Sequence, residues 1–404
     1  MSEQNTFILQ PKESSRSVTE QTADIQALLT RCRDEGGGIV EVAAGEYTWG
    51  SVRIYSNTTL HLNNGVVIRA SENLADYQSF GEKTSIDYVN DAHYVKIWHL
   101  PKDYFHAILA AYDAENVAIT ADAGAMIDGR DLVDPSGEEG FRGPMGFVFS
   151  RVKHLTLNGY LVQNSANWSH VIESCDAVEI SNVTINAGHD GFNLHHSQNV
   201  VIDNCVLHTG DDCLAGYDIH NLTVKDCWLN TACNGMRLGG KQITLNRCIF
   251  AGPGRYPHRS DGTYDSHAFF KYYAMDADHN RYDGEEMAMS QVIVANCRRL
   301  LAYEWGDKEN MQNGRPLRQL TLTNVQVGGL HQTSVFKGHG EPVHLQLDHC
   351  QITPPEDAVF LKIDDSVTFE CRHVVFEKPA QIELGDGRRL TLSGSVNLLL
   401  NGQK

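Results

Sequence analysis

The sequence predicts an all-β chain wound as a right-handed, single-stranded parallel β-helix, with one amphipathic helix capping its N-terminal end. Three observations predict it. Short runs of alternating apolar residues begin at Leu155, Val178, Val200, Leu222 and Ile243, so successive starts differ by 23, 22, 22 and 21 residues. A period of that size marks a solenoid, in which one coil of chain stacks on the next. Asn, Asp or Gly stands at the corners, and no helical segment separates the runs, which sets aside the leucine-rich repeat of similar period. The chain is 404 residues long; a solenoid reaches that length by adding coils, so one domain over 20–404 accommodates it.

Residues 1–19 read as a polar lead-in. From Thr22 to Glu35 the apolar positions Ile25, Leu28, Leu29 and Cys32 fall at helical spacing, and Gly36-Gly37-Gly38 stops the pattern. A helix there would cover the open apolar end of the solenoid. Strand-like runs follow at 38–42, 51–54, 58–62 and 66–70. Residues 71–110 are irregular, aromatic and rich in His and Asp, as expected of loops folded over one face. Regular runs resume at Asn116. They break between 251 and 286 in a second insertion, then continue from Val292, Leu320, Val343, Val367 and Leu390.

Composition narrows the function. With 51 acidic against 33 basic residues the formal charge is −18, which argues against a nucleic-acid or anionic-membrane surface. Ten cysteines lack the close pairs of a metal-binding motif, and in a chain this long they are too sparse for a disulfide scaffold. Cys205, Cys227, Cys248, Cys297 and Cys350 share one phase of the repeat and are expected to stack as small apolar groups. The N-terminus lacks the charged-then-apolar design of a signal peptide and has no membrane-length apolar run. With Met1 as native start, the expectation is a cytoplasmic protein.

Three polar clusters recur at the same period: His189-Asp190-Gly191, Gly210-Asp211-Asp212-Cys213 and Cys233-Asn234-Gly235. Asp190 to Asp211 is 21 residues and Asp212 to Asn234 is 22. Stacked coils lie about 4.8 Å apart, so Asp190, Asp211 and Asp212 are expected to converge. Like-charge repulsion then raises at least one carboxyl pKa, giving an acid beside a base, as glycoside hydrolysis requires. An ordinary corner ladder or a calcium site is the alternative. Around these acids His189 and Asn234 are candidates to contact sugar, Arg237 to pair with Asp212 or a substrate carboxylate, and Trp168, one coil before Asp190, either to stack on a sugar or to pack.

These residues resemble the polygalacturonase family of glycoside hydrolases, family 28, over about Gln21–Val327. The likeness lies in DIQALLTRCRDEGGGIVEVAAGEYTWG, NSANWSHVIESCDAVEISNVTI, HDG at 189–191 and GDDC at 210–213. The resemblance implies the pectin-lyase-like β-helix. It also implies Asp211 as general acid, with Asp190 and Asp212 activating a water for inverting attack, and no cofactor or metal. Two motifs depart from it. The family's Gly-His-Gly appears as Cys233-Asn234-Gly235, and its carboxylate-holding Arg-Ile-Lys is absent as a string, the loop with Arg255, Arg259 and Lys271 occupying that region. The substrate implied is a galacturonide-containing oligo- or polysaccharide, attacked from its end. A metal-dependent polysaccharide lyase and a catalytically lapsed carbohydrate-binding solenoid are the competing classes.

Overall fold

The computed structural model describes residues 5–11 and 16–402. Part of the expected lead-in, residues 1–4 and 12–15, lies outside them. The rest is not all lead-in: Thr6–Leu9 is a strand, pairing in parallel with Gly38–Val42 through Phe7↔Val40 and Leu9↔Val42. The chain divides into two compact units, Met1–Val206 and Leu207–Lys404.

In the first unit the capping helix runs Val18–Asp34. Ser17 begins it with a reciprocal capping box, in which Glu20 N donates to Ser17 Oγ and Ser17 N donates to Glu20 Oε2. Ile25, Leu29 and Cys32 form its buried face. At its end Gly37 has φ 109°, and a Cβ there would lie 2.4 Å from the Asn57 carbonyl oxygen. Only glycine lets the chain turn so tightly into the first coil.

The coils then stack in parallel. Val40, Leu60, Ile119, Leu157, Ile180 and Ile202 are successive register partners, all buried. Alternation therefore places one apolar column in the core while the intervening residues face outward. A second parallel ladder joins Gly45–Trp49, Val66–Ala70, Met126–Asp128, Leu161–Gln163 and Thr184–Ala187. A third joins Val52–Arg53, Ala107–Tyr112, Met145–Ser150, His170–Glu173 and Phe192–His195. The corners explain the Asn residues. Asn182 and Asn204 have φ of 55° and 51°, a left-handed conformation that Asn tolerates, and Asn204 Nδ2 donates to Asn182 Oδ1 across one coil. Within 71–110 the chain is not wholly irregular: Ala92–Trp98 is a short helix capped by Asp91, and Ala107–Tyr112 has rejoined the coils.

In the second unit Leu222, Ile243, Met287, Leu320, Leu345 and Phe369 form the corresponding column. Two expectations are corrected. The 251–286 insertion contains a coil strand, Ala268–Tyr272, which pairs with Asn234–Asn246 on one side and Arg299–Glu304 on the other. Its sequence AFFKY is apolar nearly throughout, so it lacks the alternation that marked the other runs. The last run is not a further coil either. Arg389–Leu400 returns antiparallel along Val367–Glu383 after a tight Asp386-Gly387 turn, with Gly387 at φ 81°. All ten cysteines are buried; Cys227 N donates to Cys248 Sγ one coil on, at 3.4 Å. No helix among the described residues is long and apolar enough to cross a membrane.

Candidate active site

In the second unit Asp211 and Asp212 occupy the turn that enters Leu214–Lys225. Their backbone is fixed from both sides: Thr209 Oγ1 and Thr231 Oγ1 donate to the Asp211 carbonyl, and Cys213 N donates to the Asn234 carbonyl. The side chains differ in surroundings. Asp211 keeps 16% of its side-chain surface and Asp212 only 2%. Asp212 N donates to Asp211 Oδ1 at 3.0 Å.

Asn234, one period on, meets Asp212 as the spacing requires. Its backbone N and its Nδ2 both donate to Asp212 Oδ1, at 3.2 and 2.7 Å. Arg237 Nη1 stands 3.7 Å from Asp212 Oδ2, its guanidinium 4.0 Å over the Tyr273 ring. Burial and then the charge of Asp211 push the Asp212 carboxyl above the usual range, while Arg237, Asn234 and Lys271 act the other way. The like-charge effect expected from the sequence is present, but desolvation is the larger cause.

Lys271 enters through register, since Arg237 and Lys271 are direct partners in adjacent strands. Its coil carries Phe269-Phe270-Lys271 and no Arg-Ile-Lys string. Burial, followed by Arg237, lowers Lys271 to about 8, and its Nζ donates to Asn310 Oδ1 at 2.7 Å. Beside it a pocket of about 230 Å³ is lined by Asn234, His267, Lys271, Arg298, Arg299 and Asp307, among others. Three cations at one pocket can accept an anionic group.

The insertion adds residues that counting by periods does not reach. His258 Nε2 lies 3.8 Å from Asp211 Oδ1, and His267 Nδ1 lies 3.6 Å from Cys233 Sγ. Neither these histidines nor Arg298 and Arg299 were singled out by sequence. The only signal was the His-rich composition of the insertion, since a segment without period has no position that counting can assign.

In the first unit Asp190 is buried and accepts from Asn193 Nδ2 at 2.9 Å, and its carbonyl accepts from Ser169 N. His189 is buried, stacked on Phe141 with centroids 6.0 Å apart, with Nε2 3.9 Å from Asp131 Oδ1. Trp168 is buried against Tyr104, Phe105 and His195. Its indole is thus in contact with protein side chains on several sides.

Residues 101–239 match the family described as Glycosyl hydrolases family 28. The chain is 29% identical over 119 residues to a polygalacturonase of Juniperus ashei, covering 28% of this chain and 22% of that protein. It is 24% identical over 217 residues to a probable polygalacturonase of Vitis vinifera, covering 50% and 42%. The chain thus spans about a fifth to two fifths of the length of these curated relatives. Among solved structures it resembles a family 28 exopolygalacturonase of Yersinia enterocolitica, with TM-score 0.64 and 14% identity over 94% of this chain and 77% of that one. At that identity the likeness is one of fold.

Proposed function

We propose that this chain is a divergent member of glycoside hydrolase family 28, and that it hydrolyses glycosidic bonds in galacturonide-containing pectic oligosaccharides, with inversion and from the chain end. The observation that carries the reading is the Asp211–Asp212 pair, one carboxylate accessible and one buried with a raised pKa, set beside a pocket lined by Lys271, Arg298 and Arg299. Two adjacent carboxyls of unlike environment hold their protons unequally, which is the requirement for paired acid and base.

The roles follow from the family resemblance. Asp211, the more accessible of the pair, protonates the leaving oxygen. Asp212, steadied by Asn234 and Arg237, activates water together with Asp190, whose 21-residue spacing from Asp211 assigns it to the group. Burial favours the neutral form of Asp212, so the roles require one shared proton to pass from Asp212 to Asp211 when substrate displaces solvent from Asp211, leaving Asp211 as the acid and Asp212 as the ionised base. The Lys271 ammonium, with Arg298 and Arg299, would hold a uronate carboxylate. His189 and Trp168 would support the Asp190 side, as packing partners of its coil.

The test is incubation with pectic oligosaccharides, following reducing ends and the absorbance of unsaturated uronates together. New reducing ends without unsaturated product support hydrolysis. Unsaturated product would make the protein a lyase.

A further inference from the structure

We propose that His258, Asp261 and His267 form a binding site for a divalent transition-metal ion of the zinc class. The inference does not depend on the hydrolase reading. The ligand atoms of the three residues lie within 4.8 Å of one another. His258 Nδ1 is 3.1 Å from Asp261 Oδ1, and His267 Nε2 is 3.2 Å from Asp261 Oδ2. Zinc–ligand bonds of about 2.0–2.2 Å in a tetrahedron set donor atoms about 3.4 Å apart, so Asp261 already stands near coordination spacing from both imidazoles. Two imidazoles and one carboxylate suit zinc, nickel, iron or copper and not the oxygen-seeking magnesium or calcium.

The scaffold is held in place. His258 and Thr263 form an antiparallel bridge, Gly262 N donates to the His258 carbonyl, and Thr263 N and Oγ1 both donate to Asp261 Oδ1. His267 N donates to the Cys233 carbonyl, at the start of the Ala268–Tyr272 strand. Two ligands thus come from one closed turn and the third from the coil.

A hydrogen-bonded imidazole–carboxylate–imidazole bridge is the competing account. It explains His267, which has hydrogen-bond geometry to Asp261. It accounts less well for His258, whose Nδ1 is 3.1 Å from Asp261 Oδ1 but departs from good hydrogen-bond geometry. A buried ring nitrogen with a poorly aligned partner costs free energy that a bound ion would recover. The remaining nitrogens complete the pattern. Metal-bound imidazoles present their other nitrogen to a second acceptor; here His258 Nε2 faces Asp211 and His267 Nδ1 faces Cys233 Sγ. An ion would fix His258 as a donor toward Asp211.

The experiment is isothermal titration of chelator-stripped protein with zinc, with magnesium as control, and with cobalt added to record its visible absorption. The expected result is one saturable zinc site of micromolar affinity, no magnesium binding, and tetrahedral-type cobalt bands. His267→Ala and Asp261→Asn, verified as folded by circular dichroism, weaken zinc at least tenfold and abolish the cobalt bands. Absence of saturable zinc binding by the unmodified protein overturns the proposal. So does binding that survives in His258→Ala and His267→Ala alike, which would place the ion elsewhere.

Discussion

Asn234 grips a single oxygen of Asp212 twice, through its backbone N at 3.2 Å and its Nδ2 at 2.7 Å. The second contact favours the ionised carboxylate and offsets part of the burial that pushes Asp212 up. A hydrogen bond to a charged group contributes about 1.5–3 kcal/mol. Asn234→Ala is therefore expected to lower kcat about 10- to 100-fold and to move the acidic limb of the pH profile upward, with the fold retained. An unshifted profile would separate Asn234 from the ionisation of Asp212.

Asp211→Asn should lower activity on natural oligosaccharides by several orders of magnitude. A general acid matters less when the leaving group needs no proton. Turnover of an aryl glycoside with a good leaving group should consequently recover in Asp211→Asn and not in Asp212→Asn. Recovery in the second variant instead would exchange the two roles.

Asp212→Asn should also stabilise the protein. The folded-state pKa lies above the unfolded value, so the native state binds more protons and stability falls as pH rises through the interval between them. Burying Asp212 therefore costs stability at neutral pH relative to acid pH. Replacing it with neutral Asn should raise Tm by a few degrees at pH 7, on the order of 1–2 kcal/mol, with less gain near pH 4. Scanning calorimetry at the two pH values measures the difference.

Lys271 gives a test of substrate charge. Its pKa is lowered to about 8, first by burial and then by Arg237, so its ammonium is lost as pH rises past that value. KM for a galacturonide should rise above pH 8, with kcat less affected, and Lys271→Ala should remove that limb. A neutral oligosaccharide should show no such limb in either protein.

Legibility in the sequence followed periodicity. The columns through Val40–Ile202 and Leu222–Phe369 were readable because alternation and Asn or Asp corners repeat every coil. The Ala268–Tyr272 strand was not, because AFFKY is buried without alternation. The return of Arg389–Leu400 was hidden because an apolar run does not reveal strand direction. Within the site, Asn234 was readable from Asp212 by counting 22 residues, and the hydrogen bonds place it there. His258, Asp261 and His267 were not, since an aperiodic loop takes its position from turn contacts such as the His258–Thr263 bridge.

The measurement that bears most directly on the central claim is the proton NMR spectrum of the first-formed product during cleavage of a short galacturonide. The Asp190, Asp211 and Asp212 assignment predicts a reducing sugar whose anomeric configuration is opposite to that of the bond cleaved, the other anomer growing in only at the rate of mutarotation. A first product of retained configuration, or an unsaturated uronate in place of a reducing sugar of either configuration, would contradict it.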